Sequence, residues 1–189
     1  MGFSVQHGKD TAFWLMAVLA ACVLALGFPS ERRVMGSLPP LAAKDLNHKR
    51  LQLPADLRAE RTLALIGFDR SHAAGLDSWV QGLRLQTEPG IAWLRMPVLN
   101  DPGTTHHREA LEAFLMARYP DRQDRARLVP VFTDRDQFVR TAGLTSTRLP
   151  HAVVLGRSGE VLARAEGWYS EDKAQALLET LAETGHATH

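Results

Sequence analysis

Asp69, Arg70, Ser71 and His72 follow one another directly after an apolar run, residues 63–68. A carboxylate, a guanidinium, a hydroxyl and an imidazole are the groups that hold anions and move protons. One use of them is a site without a thiol, with His72 as acid or base and Asp69 tuning it. The other is a solvated turn in which the Ser71 hydroxyl caps the next helix by accepting from a free amide. A Ser71–His72 nucleophile pair is disfavoured. Adjacent side chains rarely point at each other, and no oxyanion donor or orienting acid is identified.

The remaining histidines are weaker candidates. His106 and His107 could join His72 or His151 on a metal. Ligands from one helix usually stand four residues apart, however, and adjacent ones do not face together. They read as a polar first turn, and His186 and His189 as part of a polar tail. No metal site and no cofactor is expected. The run "GRSG" joins two strands, so it is not a phosphate loop. The chain of 189 residues has one cysteine, Cys22. Direct thiol–disulfide exchange needs an attacking thiolate, which residues 29–189 cannot supply. Net charge is +1 and the arginines are scattered among acids. Nucleic-acid binding wants a clustered basic face, so no such partner is expected.

The elements that must carry these groups begin after a leader. Residues 1–10 are polar, and 11–28 run without a charge. Eighteen residues of helix can just cross a hydrocarbon core, so 11–28 read as a transmembrane anchor or signal segment. A lipobox-like stretch ending in Cys22 offers a lipoprotein as the second choice. Lys9 lies before the segment while Arg32 and Arg33 follow it, which leaves orientation weakly specified. The domain beyond it is expected to be extracytoplasmic (periplasmic). Residues 29–38 read as a tether, 39–183 as one domain, and 184–189 as a tail.

Within the domain, residues 39–57 read as a hairpin turning at Asn47, His48 and Lys49. Residues 63–68 read as a central strand buried on both faces. Leu76, Trp79, Val80 and Leu83 recur at helical spacing. A strand follows over 91–99, with Pro97 marking its end or an edge. A helix over about 105–119 is expected to bury Ala110, Leu111, Phe114 and Leu115. Residues 127–132 form the next strand, and Asp134 with Gln137 opens a short helix that ends near Gly143. Strands over 152–155 and 160–166 make an antiparallel hairpin. Ser170 caps a last helix expected to bury Ala174, Leu177, Leu178 and Leu181. This order implies an α/β fold, a mixed sheet with helices on both faces.

Three segments resemble the thioredoxin-like superfamily in its redoxin or peroxiredoxin-like form. The opening "DLNHK" resembles that group's turn before the central strand, with His48 where glycine is usual. The closing half, 131–168, is similar to the group's in Gly143, Pro150, Gly159 and Gly167. The resemblance implies a cis-proline at Pro150. It also implies a backbone at Leu149 free to bind an extended peptide beside Asp69–His72. The departure is the stretch "DRSHAAG", where thiol-active members carry cysteine. A cysteine-free, membrane-targeted domain of this kind resembles the mitochondrial ATP-synthase assembly factor family and its bacterial relatives. "LDSW", "PVL" and Thr133-Asp134-Arg135-Asp136-Gln137-Phe138 carry that likeness.

What the resemblance implies is a membrane-tethered, redox-inactive binding or assembly module of chaperone type. Its partner would be a protein or extended peptide, such as a subunit of a membrane complex. Asp69, Arg70, Ser71, His72, Leu149 and Pro150 would form the binding surface. The alternative is a non-thiol or glutathione-dependent peroxidase- or transferase-like enzyme that uses His72.

Overall fold

The computed structural model describes residues 34–183. The anchor expected at 11–28, its Cys22 and the tail at 184–189 lie outside them. No helix among the described residues is long and apolar enough to cross a membrane.

Strands β1 (Leu41–Lys44) and β2 (Arg50–Leu53) form the expected antiparallel hairpin. His48 sits in its turn at φ +64°, the left-handed region that glycine enters without a steric cost. The main sheet has five strands in the order β5-β4-β3-β6-β7. Its centre is β3 (Arg61–Gly67), buried at every position, as a continuous apolar run in a covered sheet should be. β3 runs parallel to β4 (Trp93–Leu99) and antiparallel to β6 (His151–Gly156). β5 (Val131–Phe132) adds a parallel edge, and β7 (Val161–Glu166) an antiparallel one.

Side chains alternate across β3, so each face has its own core. Leu63 and Leu65 pack with Leu76, Trp79 and Val80 of helix α1 (Ala73–Gly82), with Leu83 just beyond its end, and with Leu177 of α5 (Glu171–Ala182). Ala64 and Ile66 pack with Phe138 of α4 (Arg135–Thr141) and with Leu53 of the hairpin. The Asp134 carboxylate caps α4 by accepting from the Gln137 amide at 2.9 Å. The mixed sheet covered on both faces is therefore present.

Several local expectations give way. Pro97 lies inside β4 and does not end it. The carbonyls of Arg95 and Leu99 accept from Val129 and Thr133, so Pro97 between them faces the same edge without an N–H to offer. The ladder to β5 shrinks there to Val98 and Leu99, and residues 127–132 are not one strand. A short helix, α3 (Arg122–Arg127), occupies the approach instead. Ser170 is the N-cap residue of α5, but its side chain makes no cap bond, and Leu178 is exposed.

The largest departure is α2 (Thr105–Arg118). Among the described residues it adds nothing to either core. Ala110 is exposed, Leu111 is 36 % and Phe114 44 % exposed, and Leu115 is half-buried. The buried residue is Glu112, at 7 %, paired with Lys44 of β1 at 2.8 Å. Helical spacing identifies an apolar face without saying what covers it, and the sheet is already covered by other elements.

Candidate functional site

β3 delivers the chain to the site at its carboxyl end, where Phe68 is buried and Asp69 begins a single 3-10 turn over Arg70–His72. The Asp69 carboxylate caps that turn, accepting from the Ser71 amide at 2.8 Å. The same bond, with a lesser contribution from the Ser71 side chain, holds the Asp69 carboxyl below its ordinary range. Asp69, not Ser71, is thus the N-cap. Its shorter reach to the amide two residues on suits a tight turn. Ser71 and Arg70 are exposed.

His72 goes the other way. It is 6 % exposed, and both ring nitrogens are engaged by backbone. The Phe68 amide donates to Nδ1 at 3.1 Å, and Nε2 lies 3.1 Å from the Arg148 carbonyl. One partner is a donor and the other an acceptor, so Nδ1 accepts from the Phe68 amide and Nε2 donates to the Arg148 carbonyl. His72 therefore ties the end of β3 to the loop before β6. It has no ring nitrogen left for a substrate proton in this arrangement.

Leu149 and Pro150 lie on that loop. The Leu149–Pro150 bond is trans, and the cis X–Pro bond among the described residues is Leu53–Pro54. Trans is the form an X–Pro bond takes by about 0.5–1 kcal/mol unless its surroundings reverse the preference. Here the surroundings hold Pro150 as it is. Its carbonyl accepts from the Gly167 amide at 2.7 Å, and its ring lies against Gly75 at the start of α1. A Cβ on Gly75 would come within 2.8 Å of the Pro150 Cγ. Pro150 is buried, whereas Leu149 is exposed, as is Trp168 beyond Gly167. The loop is braced from below, where Thr145 and Ser146 donate to Glu166 at 2.7 and 3.1 Å. Those bonds keep the Glu166 carboxyl below its ordinary range. Beside it, burial holds the His151 imidazole below its ordinary value.

The open volume lies on the other side of the turn. A groove of about 290 Å³ runs from Gly67–Arg70 across the ends of β3 and β4 to α2. Carboxyl ends of parallel strands are where open α/β sheets place their ligands. Its walls are largely apolar: Leu76 from α1, Leu99 from β4, and Leu111, Phe114 and Leu115 from α2. Arg70 spans the two sides, its guanidinium 4.3 Å from the centre of the Phe114 ring. At the far end Arg95 donates to Asp77 at 2.6 Å, and Arg118 lies 3.5 Å from the same carboxylate.

Of the expected surface, then, Asp69 and Arg70 line the groove, Ser71 is exposed next to Arg70 without lining it, and His72 is buried as a clamp. Leu149 and Pro150 do not line it, though His72 joins their loop to the turn. Sequence reasoning missed Arg95, Arg118 and Phe114. The signal available was the stripe Leu111, Phe114, Leu115 and Arg118, which a core reading absorbed. No metal-binding group of three or more His, Cys, Asp or Glu occurs among the described residues.

No protein-family model and no curated protein matches the chain. Solved structures do. One is a protein from Aquifex aeolicus VF5 provisionally assigned to electron transfer, with TM-score 0.57 and 16 % identity, covering 82 % of this chain and 98 % of that one. Another is a Sco-family cytochrome c oxidase assembly protein, with TM-score 0.54 and 14 % identity, covering 79 % and 95 %. A third is the surface-exposed lipoprotein thioredoxin of Streptococcus pneumoniae TIGR4, with TM-score 0.51 and 16 % identity, covering 77 % and 99 %. At these identities the likeness shows the fold, which is thioredoxin-like.

Proposed function

We propose that this chain is a redox-inactive binding module, held at a membrane by residues 11–28 and acting on another polypeptide during assembly of a membrane complex. The observation that carries the reading is His72. At the position where a thioredoxin-like fold presents its chemistry, the one imidazole is engaged on both nitrogens by backbone. The sequence brings no thiol there either, since its single cysteine is Cys22. What the site does offer is surface: an open apolar groove rimmed by arginines. The choice of a membrane complex rests on the resemblance to ATP-synthase assembly factors and on the uncharged leader. The domain is placed outside the cytoplasm on the same ground.

Site-specific photocrosslinking of the full chain in native membranes tests this. A photoreactive residue at Ser71 or Leu111 is expected to capture the same membrane-complex subunit. One on the opposite edge, at Arg164 of β7, is expected to capture none. Protease accessibility in intact cells reports the side of the membrane. Turnover of hydrogen peroxide with glutathione that disappears in His72→Gln, with no crosslinked partner, would replace this reading by the enzyme.

A further inference from the structure

We infer that the groove beside Arg70 takes a polypeptide segment presenting an apolar side chain next to a carboxylate; this rests on the binding-module reading and names its partner's chemistry. Size is the first argument. Sites that enclose small molecules run from about 300 to 1,000 Å³, and this groove, at about 290 Å³, lies just below that range. It is partly open to solvent and suits one or two side chains of a passing chain. Its apolar walls, with Leu111 and Phe114 continuing outward on α2, suit the hydrophobic part of such a segment.

Charge is the second argument, and it selects the other half. Asp77 is one carboxylate facing two guanidiniums, those of Arg95 and Arg118. Asp69 is turned onto the Ser71 amide. Arg70 rests on the Phe114 ring and has no carboxylate within ion-pair distance among the described residues. The mouth therefore carries more positive charge than its own acids compensate. A carboxylate arriving beside Arg70 completes a charge-assisted pair that the fold leaves open. An arginine already held over an aromatic ring gives up less side-chain freedom on pairing than a free one.

The test uses the full chain in lipid nanodiscs and fluorescein-labelled octapeptides read by anisotropy. The probe carries a central Leu-Phe followed by Asp-Glu. Controls replace the acids by Lys-Lys or Asn-Gln, or the apolar pair by Ala-Ala. The acidic probe is expected to bind roughly fivefold more tightly than the Lys-Lys control, the ratio that one exposed ion pair implies. That preference should collapse in about 1 M salt, where charges farther apart than about 3 Å are screened. Arg70→Gln should remove most of the preference, and Phe114→Ala should weaken every probe that carries Leu-Phe. Equal binding of acidic and basic probes, or of none, overturns the inference. So does octanoate binding that the peptides cannot match, or a chain that dimerises through this face and excludes them. In those cases a partner crosslinked through Ser71 would still stand, so this inference can fail while the binding module survives.

Discussion

The Phe68 amide donates to the Nδ1 of His72 across one tight turn, 3.1 Å from nitrogen to nitrogen. The same ring reaches the Arg148 carbonyl on the far loop. A side chain whose type announces acid–base chemistry is thereby made a piece of framework. Phe68 itself packs edge-on against His72, His151 and Phe138, so the clamp is set in an aromatic cluster.

Replacing that ring should cost stability. His72→Ala leaves the Phe68 amide and the Arg148 carbonyl without their partner and opens a small cavity. A loss of about 2–4 kcal/mol is expected, since each buried group left unsatisfied costs about 1–3 kcal/mol. Urea unfolding measures it. An unchanged midpoint would show that the two bonds do not hold in solution.

Phe114 separates the two readings of α2. In a core, Phe→Ala costs about 3–5 kcal/mol. On an open groove wall, where the ring is 44 % exposed and also carries the Arg70 contact, about 1–2 kcal/mol is expected. Thermal or urea unfolding of Phe114→Ala decides between them, and a core-sized loss would return α2 to the buried role expected from its spacing.

Gly75→Ala should be disproportionately damaging for a helical glycine. The substitution normally gains helix propensity. Here the new methyl meets the Pro150 ring at 2.8 Å. Forcing extra volume into a packed contact costs about 1–3 kcal/mol. A variant as stable as the parent, or more so, would mean that the Pro150 loop moves aside freely.

Acid should weaken the fold through His151. Its Nε2 lies 2.8 Å from the Ser146 carbonyl, and its buried Nδ1 has no partner. Burial depresses the folded-state value; the Ser146 bond and Glu166 oppose the shift, while Arg164 and His72 reinforce it. The unfolded imidazole binds its proton near pH 6.5, and the folded one only at lower pH. Between those two values the unfolded chain holds more protons, so stability falls as pH drops below about 6.5. Above that window the contribution is fully present. His151→Gln should flatten this part of the stability–pH curve, and an unchanged slope would exclude His151 as its source.

Much of the frame was legible because its signals are local. The uninterrupted apolar run 63–68, the Asp134–Gln137 start of α4 and the Gly156–Gly159 turn each carry their own cause, and each stands where it was expected. The site was half legible. Position alone located the Asp69–His72 turn, but residue type could not say that His72 turns inward and Arg70 outward. Nor could it show that Pro150 needs no cis bond, which depends on Gly75 and Gly167 arriving from other elements. The stripe on α2 failed for the same reason. Periodicity reports which residues share a face, and only the finished packing says whether that face is covered.

That uncovered helix has a consequence for how the molecule moves. α2 is held by the Lys44–Glu112 and Arg118–Asp77 pairs and by Arg70 over Phe114, while Arg108–Asp101 ties it to its own leading turn. Of these, the Arg118–Asp77 and Arg108–Asp101 pairs are largely exposed and contribute at most about 1 kcal/mol each, weakening with salt, while Lys44–Glu112 is sheltered at its carboxylate. Segments with few buried apolar contacts open at a fraction of the global free energy. The α2 amides should therefore exchange with deuterium long before those of β3 and β6, and faster as salt rises. The wall of the groove would then be an element able to lift away while the sheet stays folded.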